Sequence, residues 1–172
     1  MADKNRRFEE IALPHLSDAY NLARWLTRND HDAEDMVQEA YLRAFKFFDS
    51  FRGEDGRAWL LAIVRNTCYT WLKQNRVQEL HDSFDEDAHA EADSGSDPQA
   101  LMLQHADKQL LDRALEMLPL EFREILIMRE LEDLSYKEIA TMADIPLGTV
   151  MSRLARARKM LRGSLERIMQ ER

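Results

Sequence analysis

The segment 147–158 carries side chains that could bind a nucleic acid. It reads Leu-Gly-Thr-Val-Met-Ser-Arg-Leu-Ala-Arg-Ala-Arg, so hydroxyl and guanidinium groups recur along it. Such groups hydrogen-bond phosphates and base edges. On a helix of about 100° per residue, one stripe is apolar: Val150, Leu154, Ala157 and Leu161. The opposite side is polar or cationic: Thr149, Ser152, Arg156 and Lys159, with Arg153 at its edge.

The residues before this segment predict a helix-turn-helix. Ser135 and Glu138 stand three apart, the capping-box spacing that satisfies two backbone donors at a helix N-terminus. Pro146 ends that helix, because proline has no N–H and disfavours helix in the preceding residue. A second helix is expected from about Leu147. A short helix, a tight turn and an arginine-rich helix form the layout whose second helix enters the DNA major groove. The alternative is an ordinary amphipathic helix with a solvated basic face.

The net charge of −8 is concentrated in one segment. Residues 77–100 contain eight Asp and Glu and no Lys or Arg, whereas residues 1–76 and 101–172 each contain 12 basic and 12 acidic side chains. Gly95, Pro98 and several Asp and Ser residues are typical of a linker. Its acids either solvate the chain or occupy a basic channel of a partner. We therefore expect domains at residues 1–76 and 106–172, joined by an acidic linker over residues 77–105.

The first domain is predicted to be helical throughout. Residues 6–28 predict a long helical region that Pro14 kinks or restarts. Asp30 or Asp32 is expected to cap a helix over residues 33–48, followed by a loop over residues 49–56. The apolar stripe of that helix holds Met36, Val37, Ala40, Tyr41, Ala44, Phe47 and Phe48. Its other face holds Asp35, Gln38, Glu39, Leu42, Arg43 and Lys46.

A second cationic helix is predicted over residues 57–74. Its inward residues are expected to be Leu60, Ile63, Val64, Thr67 and Trp71. The opposite face carries Arg65, Asn66, Tyr69, Lys73 and Arg76. Cations interleaved with an amide and an exposed aromatic ring suit a single strand, where stacking and backbone contacts supply the affinity. The alternative is a surface helix with a buried pair of tryptophans.

The second domain begins with two further predicted helices before the helix-turn-helix. The first carries Leu110, Leu111, Ala114, Leu115 and Leu118 and ends at Pro119, and the second covers residues 120–131. No phosphate-loop or nucleophile motif appears, so we expect no catalytic residue and no cofactor. His81 and His89 lie among acids, but no metal site is predicted. No run of about 18 apolar residues suggests membrane insertion. The N-terminus does not look like a signal peptide, and the one cysteine, Cys68, suits the reducing cytoplasm.

Three motifs, in this order, resemble segments of bacterial RNA polymerase sigma factors. Residues 32–45 resemble the segment that binds core polymerase. Phe51-Arg52-Gly53 and residues 58–66 resemble the −10 element segment. Leu118-Pro119, residues 134–140 and residues 146–158 resemble the −35 segment. The small size, with only regions 2 and 4, resembles the extracytoplasmic-function (group 4) sigma factors.

This resemblance implies an all-α protein, with region 2 and region 4 as two small helical domains and a flexible acidic linker between them. It implies a surface for the clamp of the polymerase's largest subunit: Asp35, Gln38, Glu39, Leu42 and Arg43. The flap of the second-largest subunit would be a further contact. The −10 contacts would be Ser50, Phe51, Arg52, Arg65, Asn66, Tyr69, Lys73 and Arg76, with the loop at 50–56 holding a flipped base. The −35 contacts would be Ser135, Lys137, Thr149, Ser152, Arg153, Arg156 and Lys159.

The function implied is promoter-specific transcription initiation for a stress or envelope regulon, held inactive by an anti-sigma factor. The linker would thread through the nucleic-acid channels of the polymerase. Region 2 lacks the dense aromatic run of housekeeping sigma factors, which implies weak DNA melting and strict promoters. Two alternatives remain. A conventional helix-turn-helix regulator would leave residues 32–45 unexplained, and a sigma-mimic that sequesters an anti-sigma protein would not need the cationic faces.

Overall fold

The computed structural model of the chain describes residues 2–53, 55–75 and 108–171. These residues are all-α, without a strand in the described ranges. The chain divides into two compact units, Met1–Val77 and Gln78–Arg172, and each is treated by itself below. The predicted linker at 77–105 and the predicted DNA contact Arg76 lie outside the described residues.

The first unit is built from helices on either side of a proline break. They are α1 (Ala2–Ala12), a 3-10 turn (Leu13–His15), α2 (Leu16–Thr27), α3 (Asp30–Lys46), a 3-10 turn (Phe48–Ser50) and α4 (Gly56–Asn75). Pro14 lies in the first 3-10 turn, so the predicted long helix is two helices. Helices α2, α3 and α4 pack against one another, and α1 packs on α4.

Two kinds of side chain fill the core of this unit. Small and aliphatic residues lie where α2, α3 and α4 meet, among them Ala19, Leu22, Leu26, Ala33, Ala40, Leu61 and Val64. An aromatic cluster lies at the α1 side, where Phe8 makes edge-to-face contacts with Phe45 and Phe48 at 5.3 and 5.4 Å between ring centroids. Such pairs add about 0.5–1.5 kcal/mol each beyond the area they bury. The cluster therefore holds α1 onto the end of α3.

The start and end of α3 differ from the prediction. Asn29 caps the helix, because its extended backbone lets the side chain accept from the Asp32 N–H at 2.9 Å. Asp30 and Asp32 therefore lie inside the first turn instead of capping it, where they favour the positive end of the helix dipole. The helix ends at Lys46, which leaves Phe47 in the following turn and exposed, while Phe48 is buried.

The buried arc of α4 is wider than the predicted stripe. Leu61, Cys68 and Leu72 are buried along with Leu60, Val64 and Thr67, because both α2 and α3 pack on this helix. The predicted inward residues Ile63 and Trp71 are only partly buried. For Trp71 this is common, since so large a side chain is rarely covered completely.

The second unit contains the predicted helix-turn-helix. Its elements are α5 (Lys108–Glu116), α6 (Leu120–Leu126), a π-helical turn (Ile127–Leu131), α7 (Tyr136–Ala143) and α8 (Leu147–Gln170). Helix α8 packs against α5, α6 and α7. The predicted apolar stripe of α8 is buried in full: Val150, Leu154, Ala157 and Leu161. None of the described helices is both long enough and apolar enough to cross a membrane.

Candidate core-binding and nucleic-acid surfaces

The predicted core-binding residues share one face of α3, called here the α3 surface: Asp35, Gln38, Glu39, Leu42 and Arg43. All but Arg43 are exposed, and Leu42 has 71% of its surface in contact with solvent. Arg43 is held in place, because its Nε lies 3.2 Å from Glu39 Oε2 and its Nη1 donates to Thr67 Oγ1 over 3.4 Å. The helix thus brings the predicted residues together, with Leu42 as an exposed apolar group among polar neighbours.

Two grooves flank the α3 surface. One, of about 470 Å³, lies between α2 and α3 and is lined by Leu16, Ser17, Tyr20, Asn21, Glu34, Val37 and Gln38. The other, of about 480 Å³, is lined by Phe8, Gln38, Tyr41, Leu42 and Phe45. Gln38 borders both grooves. The α2 residues Leu16 and Tyr20 were not predicted from the sequence to lie in this region. The signal available was Leu16, an apolar residue directly after the proline break.

The loop after α3 shows which predicted −10 residues are free to contact a ligand. Phe51 packs into the aromatic cluster, with its ring centroid 4.7 Å from that of Trp59 and stacked at 6.0 Å on Phe48. The Ser50 hydroxyl donates to the Phe47 carbonyl at 2.7 Å. Arg52 is exposed, and Gly53 follows it with a positive φ of 85°. Ser50 is exposed as well, so two of the predicted loop contacts, Ser50 and Arg52, face solvent, whereas Phe51 is partly buried.

The cationic face of α4 presents a stacked arginine and tyrosine. The Arg65 guanidinium lies 4.0 Å from the centroid of the Tyr69 ring, and its Nη1 donates to Asn66 Oδ1 at 3.3 Å. Asn66 and Lys73 are exposed beside this pair. The predicted group Arg65, Asn66, Tyr69 and Lys73 is therefore continuous. Arg57, in the same cationic stretch, is instead bonded to Asp18 of α2 at 2.8 Å.

The start of α7 shows the predicted capping box. Ser135 Oγ accepts from the Glu138 N–H at 3.0 Å, and Glu138 Oε1 accepts from the Ser135 N–H at 2.8 Å. Ser135 and Lys137 are both exposed at this helix end. Ser135, predicted as a −35 contact, therefore also has a definite structural role.

The arginines of α8 lie closer to the protein than the helical wheel suggested. Arg153 Nη2 is 3.7 Å from Glu121 Oε1, and the Arg156 guanidinium lies 4.8 Å from the ring centroid of the buried Phe122. Arg156 was expected to extend freely opposite the apolar stripe, yet it is half-buried, since its long side chain folds back over α6. Ser152 and Lys159 are exposed as predicted, and Thr149 is half-buried.

Two exposed apolar residues at the start of α8 were not assigned from the sequence. Leu147 is 48% exposed and Met151 is 51% exposed. Both lie outside the apolar stripe of the helix, and that position was the signal that could have identified them.

Cys68 and Tyr41, both in the first unit, have strongly raised pKa values. Burial raises the pKa of the Cys68 thiol to about 12. Burial, and to a smaller extent the charge of Asp18, raises the pKa of Tyr41 to about 12. The Tyr41 hydroxyl donates to the Ala12 carbonyl at 2.7 Å, which ties α3 to α1. Among residues 2–53, 55–75 and 108–171, no three His, Cys, Asp or Glu are grouped so as to hold a metal ion, and His81 and His89 lie outside these ranges.

Comparison with known proteins agrees with this arrangement. Residues 11–77 match the family described as Sigma-70 region 2, and residues 108–161 match Sigma-70, region 4. The ECF RNA polymerase sigma-E factor of Escherichia coli (strain K12) is 37% identical over 137 residues, which cover 76% of this chain and 72% of that protein. The ECF RNA polymerase sigma factor SigE of Mycolicibacterium smegmatis is 33% identical over 164 residues, covering 92% of this chain and 61% of that protein.

Solved structures show the same fold. The sigma factor RpoE from Bartonella quintana, in complex with the anti-sigma factor NepR, superposes with a TM-score of 0.72 at 32% identity, covering 94% of this chain and 98% of that one. The structure of CnrH with the cytosolic domain of CnrY, at a TM-score of 0.66 and 22% identity, supports the fold alone. Two helical units that match regions 2 and 4 define a sigma-70 protein. The chain belongs to the extracytoplasmic-function sigma factors, which bind core RNA polymerase and direct promoter-specific transcription initiation.

Proposed function

We propose that this sigma factor docks on the clamp of the polymerase's largest subunit through the α3 surface, contacts the −10 element with α4 and contacts the −35 element with α8. The observation that carries the proposal is Leu42, which is 71% exposed in the middle of a polar helix face. The flap of the second-largest subunit would contact the second unit. The protein would act in the cytoplasm as a binding protein, without a catalytic residue, metal or cofactor.

The α3 surface has the composition of a protein interface. Interfaces place apolar anchors at a desolvated centre and polar groups at the rim. Leu42 would be such an anchor, with Gln38 and Glu39 exposed beside it. The two flanking grooves would then accept side chains of the clamp.

The α4 face suits an unpaired strand better than a duplex. The Arg65–Tyr69 stack offers a planar surface together with a positive charge, and bases stack on such surfaces without strong sequence preference. Exposed Lys73 would contact phosphate as a point charge. Arg52, on the preceding loop, would reach the same strand.

The helix-turn-helix would bind the −35 duplex with α8 in the major groove. In this motif the N-terminal residues of the second helix contact base edges, while the first helix crosses the backbone. Thr149, Ser152, Arg153 and Arg156 would then face the groove, with Lys159 further along. Ser135 and Lys137, at the exposed start of α7, would face phosphates.

An anti-sigma factor is the proposed regulatory partner. The proposal is supported by the solved complex of the sigma factor RpoE with the anti-sigma factor NepR. The genes regulated would belong to a stress or envelope response.

Dependence on core polymerase tests the proposed function. The chain alone should bind a promoter duplex no better than the usual non-specific range of about 10⁻⁴–10⁻⁶ M at 0.15 M salt. Core polymerase and the chain together should produce promoter-specific transcripts that neither produces alone. Tight sequence-specific binding by the free chain would favour a conventional regulator. Binding to an anti-sigma protein without any transcript would favour a sigma-mimic.

A further inference from the structure

The N-terminal end of α8 exposes two apolar side chains that the fold does not use. Leu147 and Met151 are 48% and 51% exposed, whereas the apolar stripe of the same helix is buried. They stand four residues apart and therefore project from the same side of the helix. Single exposed apolar residues are ordinary on a protein surface. Here, however, they lie where a helix-turn-helix contacts base edges.

The first turns of α8 lack the groups that usually read purines. Residues 147–152 are Leu-Gly-Thr-Val-Met-Ser, with no cation and no side-chain amide. Guanine is typically read by Arg or Lys, and adenine by Asn or Gln. The first arginine, Arg153, lies 3.7 Å from Glu121, and Arg156 lies over Phe122. The groups left at this end of the helix are methyl, thioether and hydroxyl groups.

The surface beside Met151 is open enough for DNA to approach closely. A Cβ atom placed on Gly148 would meet no atom within 4 Å, and Ser152 is exposed next to Met151. The major groove displays one apolar group on the bases, the C5-methyl of thymine. Methionine is flexible and polarizable, so its side chain can adapt to such a methyl group.

We propose that Met151, with Leu147 beside it, contacts the C5-methyl group of thymine in the −35 element and is a specificity-determining residue. This inference rests on the proposed placement of α8 at the −35 element. Removing one buried methyl group should weaken promoter binding about fourfold, the usual value for a buried carbon of this kind. If Leu147 and Met151 instead bound a protein partner, promoter binding would not depend on the methyl group of thymine.

The test replaces thymine with uracil, which differs only by the methyl group. Holoenzyme made from the full chain and core polymerase first selects its promoters from a randomised library. Each −35 thymine is then replaced singly by deoxyuridine, and competitive promoter binding is measured. With the unaltered chain, at least one replacement should weaken binding about fourfold. With Met151→Ala, the ratio of thymine to uracil binding at that position should fall to about one.

Met169→Ala is the matched control, since Met169 is 55% exposed near the far end of the same helix. It should retain the thymine preference. The inference is overturned if no −35 thymine is selected, if uracil binds as well as thymine in the unaltered holoenzyme, or if Met151→Ala keeps the preference. If the selected promoters contain a clear −35 element, either of the last two results overturns this inference alone and does not contradict the proposed function. Absence of any promoter-specific transcript would instead overturn the proposed function itself.

Discussion

Arg43 on α3 and Thr67 on α4 are joined by a hydrogen bond in which the guanidinium donates to the threonine hydroxyl over 3.4 Å. Thr67 is buried, and its hydroxyl in turn donates to the Ile63 carbonyl at 2.7 Å. A residue of the α3 surface thus also helps hold α3 against α4. Loss of Arg43 therefore affects the fold as well as the surface, and Leu42 is the better residue with which to test docking.

Leu42→Ala and Arg43→Ala should consequently differ. Leu42→Ala should weaken core binding by more than about 1 kcal/mol if Leu42 is an interface anchor, and change the free energy of unfolding by less than about 0.5 kcal/mol. Arg43→Ala should lower the unfolding free energy by about 1 kcal/mol.

The three tryptophans, Trp25, Trp59 and Trp71, all lie in the first unit, so urea unfolding followed by their fluorescence reports that unit. Leu13→Ala, at a 50% exposed leucine that lines neither groove, is the control. Full core binding by Leu42→Ala would reject the proposed surface.

A side chain at Gly56 should destabilise the first unit. A Cβ atom there would lie 2.7 Å from Ile11 Cγ2, so the Ile11 side chain or α1 itself would have to shift. Overpacking of this kind costs about 1–3 kcal/mol, and the loss should appear in the tryptophan-monitored unfolding of Gly56→Ala. Ile11→Ala should relieve much of it, so the two substitutions should be non-additive. Gly163 lies on α8, and a Cβ atom placed there would meet no atom within 4 Å. Gly163→Ala should therefore raise the free energy of unfolding by about 0.5–1 kcal/mol. Equal effects at both glycines would argue against the close packing of α1 on α4.

Ser135 has two possible roles that aspartate can separate. Ser135→Ala removes the acceptor for the Glu138 N–H and should cost about 1 kcal/mol, seen as faster amide hydrogen exchange in α7. Ser135→Asp keeps a capping oxygen and should keep the exchange slow. If Ser135 faces a phosphate, the added negative charge should nevertheless reduce transcription from −35-dependent promoters. Unchanged transcription by Ser135→Asp would show that Ser135 serves only as a cap.

The helix-turn-helix could be predicted well because its determinants are local. The capping box depends on residues three apart, and the buried stripe of α8 repeats at helical spacing on one helix. The cap of α3 was harder, since Asn29, Asp30 and Asp32 are all suitable capping residues. Which one acts depends on where the backbone leaves the extended conformation, and Asn29 is the residue that is extended.

The surroundings of the candidate site could not be predicted, since they depend on contacts between residues distant in the chain. Arg156 lies over Phe122, 34 positions earlier, and Arg43 reaches Thr67, 24 positions later. A helical wheel gives the direction in which a side chain leaves its own helix, not the neighbour it meets. Phe51 was predicted as a −10 contact from the family resemblance, which does not show that its ring packs on Trp59, eight positions later.

Cys68 should make the first unit less stable at high pH. Burial raises its pKa to about 12 from an ordinary value of 9.0. Below pH 9 the Cys68 thiol is protonated in both the folded and the unfolded chain, so it makes its full contribution to the free energy of unfolding. Above pH 9 the unfolded chain loses the proton first, and the unfolding free energy falls with rising pH until the folded pKa is reached, by at most about 1.4 kcal/mol per pH unit.

Tryptophan-monitored unfolding of the unaltered chain and Cys68→Ala, from pH 8 to pH 11, measures this loss, because the Tyr41 contribution is common to both. The unaltered chain should lose stability more steeply above pH 9. Because Cys68 is the one cysteine, iodoacetamide labelling at pH 8 should be slow in the folded protein and fast in urea. Rapid labelling of the folded protein would contradict the burial of this thiol.

Arg156→Ala and Lys73→Ala should alter promoter use in different ways. Arg156 is proposed to contact base edges of the −35 duplex, and losing such a contact relaxes preference at one base pair by about 1–3 kcal/mol. Exposed Lys73 is proposed to contact phosphate, so its loss should lower transcription from all promoters and reduce the salt dependence of binding by about one unit.

Transcription from a randomised promoter library compares the two variants, with Arg167→Ala, an exposed arginine near the end of α8, as control. Because Arg156 also lies over Phe122, thermal unfolding of Arg156→Ala must first show that the second unit remains folded at the assay temperature. A change confined to −10 positions, or an unchanged −35 preference in the folded variant, would show that α8 is placed wrongly.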